Sequence, residues 1–279
     1  MIKSKEAFIM SGTNDYKLKY GAHLSLGAPG YIEELIERCG LSAVQIFISN
    51  PRSFNPVFSQ KSLESLNALK KRHDIFLCVH MPYVANLASN DESLRAKSVE
   101  HIISALNAAS ELGASYYVAH PGSGPYENLA DSFGKIIKNT ENCRTKLLLE
   151  NTEGSGNKLF GGEEQMADFI GRFGAKAGIC WDTAHAHGAG IDTLGLSETL
   201  RGAIKLVHLN DSRVAFASHK DRHDGFSTGT IGAKNIGEII RLFKNQAPFI
   251  IEREGREATC ADLEFIRAEL FKKRAAASH

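Results

Sequence analysis

The chain lacks the features that would tie it to a membrane or to a cross-linked extracellular scaffold. None of its apolar runs approaches the ~20 residues needed to cross a bilayer. Within the polar segment 1–18 the only apolar run is Ala7 to Met10, too short for the core of a signal peptide. Cysteine is scarce and scattered. Cys39, Cys78, Cys143, Cys180 and Cys260 include no pair at a two-residue spacing, and two of them sit inside apolar runs where a thiol behaves as a small hydrophobe. A reduced set of thiols in a cytoplasmic protein is therefore expected. An excess of charge is missing too: Lys plus Arg number 33 against 32 for Asp plus Glu. Bulk charge does not announce a nucleic-acid binder, so any such partner would need a local patch or bound cations. A patternless linker rich in Pro, Gly or Ser is also lacking, which argues against two domains.

What is present is alternation. Short apolar, β-branched or aromatic runs recur at about 20–26, 43–48, 76–80, 116–120, 147–151, 178–182, 205–210 and 248–253. Helical periodicity fits about 30–39, 61–72, 90–112, 128–142, 163–173, 197–202, 235–244 and 260–274. In the clearest of these, Val99, Ile102, Ile103, Leu106 and Ala109 share one face. Ser89 with Glu92 resembles a capping box at its start, and Gly113 suits the position just past its end. Strand and helix in strict alternation imply a parallel sheet with helices outside it. Eight strands within 279 residues favour closure into the α/β fold known as the TIM (β/α)8 barrel, as one domain. The expected layout is a polar extension at 1–18, the barrel at 19–275 and a frayed tail at 276–279.

The strand ends carry the chemistry. The third expected strand ends in His80, the fourth in His120, the fifth in Glu150 and the sixth in Asp182, with His208 and Glu252 near the ends of the seventh and eighth. A barrel gathers the C-terminal ends of its strands at one mouth, where active sites form. Taken singly, a histidine there is an ordinary hydrogen-bonded residue and a carboxylate an ordinary cap. Six such groups on six successive strands are different, because burying them together without partners is costly. Cations remove that cost. His185, three residues beyond Asp182, and the alternating pair Asp221 and His223 bring the set to five histidines and four carboxylates.

Nitrogen and carboxylate oxygen without thiolate suit catalytic zinc, with manganese or iron as alternatives. Nine donors exceed the needs of one tetrahedral ion and suit three. Three zinc ions bring six positive charges against four carboxylates, leaving about +2, a cavity that favours an anionic substrate and phosphoryl transfer.

The same residues stand in motifs that resemble the endonuclease IV family of apurinic/apyrimidinic endonucleases. The likeness runs from about Tyr20 to Glu254 through Gly21-Ala22-His23, VHMPYVANLA at 79–88, HPGS at 120–123, LLENTEGSGN at 148–157, WDTAHAHGAGID at 181–192, HLNDS at 208–212, DRHDG at 221–225 and GTIG at 229–232. It implies a xylose-isomerase-like barrel and a trinuclear zinc site. His80 and His120 would hold one ion and share Glu150 with a second bound by Asp182, His208 and Glu252, while His185, Asp221 and His223 hold the third. Glu150, as the bridging ligand that positions the attacking hydroxide, is the implied catalytic residue.

The implied reaction is hydrolysis 5′ to an abasic site in double-stranded DNA, leaving 3′-hydroxyl and 5′-deoxyribose phosphate ends, with trimming of blocked 3′ ends as a further activity of a monomer. Arg52 and Tyr83 match positions that enter the DNA at the lesion, although a solvated charge and a packed ring are the plain alternatives. Ser53, Phe54, Trp181, His187 and Arg253 depart from the family pattern, and they bear on DNA recognition because none removes a ligand. A sugar isomerase or epimerase on the same scaffold would use only Glu150, Asp182, His208 and Glu252, leaving the other five donors without a role. A retired, non-catalytic DNA-binding barrel would have lost some of the nine.

Overall fold

A computed structural model describes residues 19–57 and 59–272, so the extension expected at 1–18 and the tail expected at 276–279 lie outside the described residues. The chain runs through β1 (Tyr20–His23), α1 (Pro29–Cys39), β2 (Ala43–Phe47), α2 (Gln60–Arg72), β3 (Phe76–His80), α3 (Glu92–Glu111), β4 (Tyr116–Ala119) and α4 (Tyr126–Asn139). It continues with β5 (Lys146–Glu150), α5 (Glu163–Phe173), β6 (Ile179–Asp182), α6 (Thr183–Ala189), α7 (Glu198–Ala203) and β7 (Ile204–His208). A short pair follows, β8 (Asp211–Ser212) and β9 (His223–Asp224), then α8 (Gly232–Phe243), β10 (Phe249–Ile251) and α9 (Arg256–Phe271).

Eight of these strands close a parallel barrel in the order β1-β10-β7-β6-β5-β4-β3-β2. The first strand meets the last through the register Tyr20 with Phe249 and Ala22 with Ile251. Closure requires very close backbone approach between β1 and β2. A Cβ added at Gly21 would stand 1.6 Å from the Ala43 carbonyl oxygen, so only glycine fits there.

Side chains on a strand alternate faces, and this divides the core in two. Ala43, Phe76, Cys78, Tyr116, Val118, Leu148, Cys180, Leu206 and Ile250 form a small buried cluster of their own, the filling of the barrel. The intervening positions, among them Val44, Val79, Tyr117, Leu149, Trp181 and Val207, join the helices in a larger outer core. Trp181 is wholly buried in it and donates its indole N–H to Thr193 Oγ1 at 3.1 Å.

Local signals were only partly legible. Asp91, not Ser89, caps α3 by accepting from the backbone N–H groups of Ser93 and Leu94, because it directly precedes the first helical residue. Gly113 does stand past the helix end with φ of 68°. The expectation of five free thiols is corrected: Cys39 and Cys260 form a disulfide across 221 residues, while Cys78, Cys143 and Cys180 are free. Cys39 ends α1 and Cys260 lies in α9, helices that pack together because the barrel closes β1 on β10. Spacing along the chain carries no sign of that. No helix among the described residues is long and apolar enough to cross a membrane.

Candidate metal centre

Alternation also builds the site. Counting two residues up from an inward-facing member of the barrel filling reaches His80 from Cys78, His120 from Val118, Glu150 from Leu148, Asp182 from Cys180, His208 from Leu206 and Glu252 from Ile250. The ionisable layer is therefore the next storey of the apolar stack, at the C-terminal mouth.

Three clusters of donor atoms result, each within 4.8 Å internally: His80, His120 and Glu150; Glu150, Asp182, His208 and Glu252; and Asp182, His185 and His223. Glu150 belongs to two of them. Its Oε2 lies 3.3 Å from His80 Nε2 and 3.2 Å from His120 Nε2, and its Oε1 lies 2.9 Å from His208 Nδ1. Asp221 closes the third cluster, with Oδ2 at 3.3 Å from His185 Nε2 and Oδ1 at 3.2 Å from His223 Nε2. All nine side chains expected from the sequence thus meet at one mouth. The remaining donor group, Cys39, Cys260 and Glu264, has both thiols tied in the disulfide.

His185 lies on the short helix α6, which Asp182 caps by accepting from the His185 backbone N–H at 2.7 Å. That cap is what brings the two residues together on one helical turn. His223 lies at the start of β9, which pairs antiparallel with β8, and Asp221 stands two residues before it in the preceding loop.

Hydrogen bonds outside the donor layer decide which atom each ligand presents. A carbonyl oxygen only accepts, so His80 Nδ1 carries the proton it donates to Met81 O at 2.8 Å, leaving Nε2 for the cavity. His185 Nδ1–H likewise donates to Asn151 O at 3.0 Å. His208 is turned the other way, its Nε2–H donating to Gln45 Oε1 at 2.9 Å so that Nδ1 faces Glu150. Asp182 is held by two amides, since its backbone N–H donates to Asn151 Oδ1 at 2.7 Å and its Oδ2 accepts from Asn210 Nδ2 at 2.6 Å. His223 Nε2 is buried and faces carboxylates alone, Asp221 Oδ1 at 3.2 Å and Asp182 Oδ2 at 3.7 Å. Lone pairs aimed inward with their outer nitrogens committed fit divalent cations, and the all-N/O donor set fits zinc among them.

Electrostatics within the protein atoms say the same. Burial opposes charge on Glu150, but the imidazoles of His208, His120 and His185 prevail and hold its carboxyl well below the usual range. Burial alone would lower His208 and His223; the surrounding carboxylates outweigh it and push both up to about 9. Asp182 moves the other way, raised chiefly by burial. Protons on histidines thus play the charge-balancing part that cations can take over.

The mouth opens into a cavity of about 850 Å³ lined by His23, Phe47, Tyr83, Arg213, Arg222 and Arg253 among others. Tyr83 is 59% exposed, stands over His120 at 6.1 Å between ring centres, and donates its backbone N–H to Pro51 O at 2.8 Å. That bond sets Arg52, which is exposed, beside it on the rim. Phe54 packs against His101 at 4.9 Å. His187 makes hydrogen bonds to Val214 O and Thr230 Oγ1, both at 3.1 Å, and is no ligand. Arg253 lies 3.8 Å from Asp224 and 3.5 Å from Asp262. Sequence reasoning missed Gln45, Asn151 and Asn210. Gln45 was detectable in retrospect, as a polar residue within the apolar run AVQIF at an inward-facing position.

The fold and this mouth define a class before they define a protein: residues 34–269 match the family described as xylose isomerase-like TIM barrel. Within it the chain belongs to the endonuclease IV family. It is 35% identical over 269 residues to "Endonuclease 4" of Thermus thermophilus, covering 90% of this chain and 98% of that one. It is 34% identical over 278 residues to "Probable endonuclease 4" of Carboxydothermus hydrogenoformans, covering 91% and 98%. A crystal structure of endonuclease IV from Thermus thermophilus superposes with a TM-score of 0.78 at 32% identity, over 90% of this chain and 98% of that one.

Proposed function

We propose that this nuclease is an apurinic/apyrimidinic endonuclease of base excision repair. It hydrolyses the phosphodiester bond 5′ to an abasic site in double-stranded DNA, leaving 3′-hydroxyl and 5′-deoxyribose phosphate ends, and it also trims blocked 3′ ends. It acts as a monomer with three zinc ions, for which manganese or iron can substitute at some sites. The observation that supports this best is the convergence of five histidines and four carboxylates at one mouth, three of the histidines held by outer hydrogen bonds with a lone pair turned inward. A sugar-processing barrel with one divalent ion has no use for His80, His120, His185, Asp221 and His223.

Bound at the three clusters, such ions lower the pKa of water and neutralise charge on the attacked phosphate and the leaving 3′-oxygen. The protein's share is to hold the donors rigidly. Glu150 belongs to the first two clusters and would hold an ion in each, its carboxylate orienting the attacking water; Asp182 and Asp221 would tie the third to the same floor. Tyr83 and Arg52, joined at the rim, contact the DNA where the missing base leaves a gap, since a nucleotide without its base is cheaper to swing out of the duplex.

A duplex carrying one abasic residue, incubated with the purified protein with and without chelator, tests the proposal. Nicking at the lesion that chelation abolishes and zinc restores is the expected result, with near three metal ions per chain by elemental analysis. A protein holding one ion per chain and inert toward the abasic duplex refutes it.

A further inference from the structure

His23 ends β1 and pairs in register with Gln45 on β2. Its ring is buried against Phe47, with centres 4.4 Å apart, and lies 5.7 Å from the ring of His80. It is not among the nine donors, yet it touches one of them: His23 Nδ1 lies 3.0 Å from Glu252 Oε1. Gln45 Nε2 donates to the same oxygen at 3.1 Å.

The donor roles can be worked out atom by atom. His208 Nε2–H occupies Gln45 Oε1, so the Gln45 amide nitrogen is the end that faces Glu252. His23 Nδ1 lies 3.0 Å from this carboxylate oxygen and 3.1 Å from Gln45 Nε2; the charged carboxylate makes the stronger bond, so the proton sits on Nδ1 and is donated to Glu252, and Gln45 turns its own N–H to the same oxygen. Two donors then converge on Oε1 from β1 and β2. Oε2, which lies 3.7 Å from His208 Nδ1, is left as the oxygen that faces the donor cluster. The other ring nitrogen, His23 Nε2, is buried with no hydrogen-bond partner among the described residues, and His23 lines the cavity.

We propose that His23 is a positioning residue of this centre, whose Nδ1–H orients the Glu252 carboxylate so that Oε2 is presented to the cation. With Gln45 it ties two donors of the neighbouring strands β7 and β10 to β1 and β2 across the barrel seam, in the chain His208–Gln45–Glu252–His23. Glu252 lies just past β10, a strand of three residues; Asn210 Oδ1 holds its backbone N–H at 2.9 Å, and the orientation of Oε1 is left to His23 and Gln45. The assignment rests on the proposed metal centre but not on the identity of the substrate.

Two substitutions separate the role of the atom from that of the ring. H23N keeps an amide N–H close to the place of Nδ1–H and discards the ring; H23F keeps the ring against Phe47 and discards both nitrogens. Zinc affinity is read by competition with a chromophoric chelator, and kcat and KM by nicking of the abasic duplex. Outer-layer hydrogen bonds to ligands typically govern affinity by roughly 10–100-fold. H23F is expected to lose zinc affinity by about that factor and to lower kcat with KM for DNA unchanged, while H23N stays within about threefold of the unmodified protein. An H23F protein that binds zinc as tightly as the unmodified one, or an H23N protein that falls as far as H23F, overturns the proposal. If the unmodified protein binds zinc but fails to nick, the functional reading falls and the chelator competition still decides the role of His23.

Discussion

Replacing Glu150 by glutamine strikes a carboxylate shared by two clusters, the one that touches three histidines of the first two. The side chain keeps its length and one carbonyl oxygen but loses its charge. In the structure that charge stands 2.9 Å from His208 Nδ1, 3.2 Å from His120 Nε2 and 3.3 Å from His80 Nε2, in a site only 1% exposed. In the loaded protein the charge it meets is that of the cations these donors hold; at an effective dielectric of about 20, one unit of positive charge about 3.2 Å away interacts with it by roughly 5 kcal/mol. The amide dipole recovers part of this, leaving about 4 kcal/mol of lost stabilisation, which corresponds to a fall in kcat on the order of a thousandfold. Single-turnover nicking of an abasic duplex at saturating enzyme reads this directly, beside elemental analysis and a thermal melt. The melt should show a folded protein, with fewer metal ions retained than before. An E150Q protein that keeps its metal and cleaves within about tenfold of the unmodified rate would remove Glu150 from the reacting centre and with it the idea of a bridged pair of ions.

The metal-free protein should lose stability as pH rises. His208 and His223 have folded values near 9, above the ordinary histidine value of about 6.5, so their contribution is complete below about pH 6.5 and vanishes as pH passes about 9. Because both share the same carboxylates, a total on the order of 3 kcal/mol is expected, read as a falling melting temperature of the chelated protein between about pH 6.5 and 9.5; a flat or rising profile contradicts it. Metal affinity should run the opposite way and weaken as pH falls, since protons compete for the same nitrogens. Gly21→Ala should destabilise by about 3 kcal/mol or more, because the new Cβ meets backbone that cannot yield; a denaturant midpoint near that of the parent would show the close contact to be tolerated. Tyr83→Ala should raise KM for the abasic duplex about tenfold with kcat nearly kept, whereas unchanged kcat/KM would make Tyr83 an ordinary exposed ring.

The architecture and the donor set were legible early because both depend on short-range periodicity. A strand shows its two faces in every second residue, so the apolar runs marked the barrel and the residues ending them marked its mouth. His80, His120, Glu150, Asp182, His208 and Glu252 could be read from that pattern alone, and His185, Asp221 and His223 from their spacing to it. Arg52 and Tyr83 came only from likeness to a family, and no strand pattern points to them.

Tertiary closure decided the rest. The disulfide between Cys39 and Cys260, the seam bonds from His23 and Gln45 to Glu252, and the amide supports from Asn151 and Asn210 all join segments far apart in the chain. Apart from His80, whose Nδ1 bonds the carbonyl of the next residue, hydrogen-bond direction and ring orientation depend on which neighbour lies across the barrel, and no local stretch encodes that. Which residues gather at the mouth is thus written in the order of residues, while the atom each one turns inward is settled only when β1 meets β10 and the outer partners fall into place.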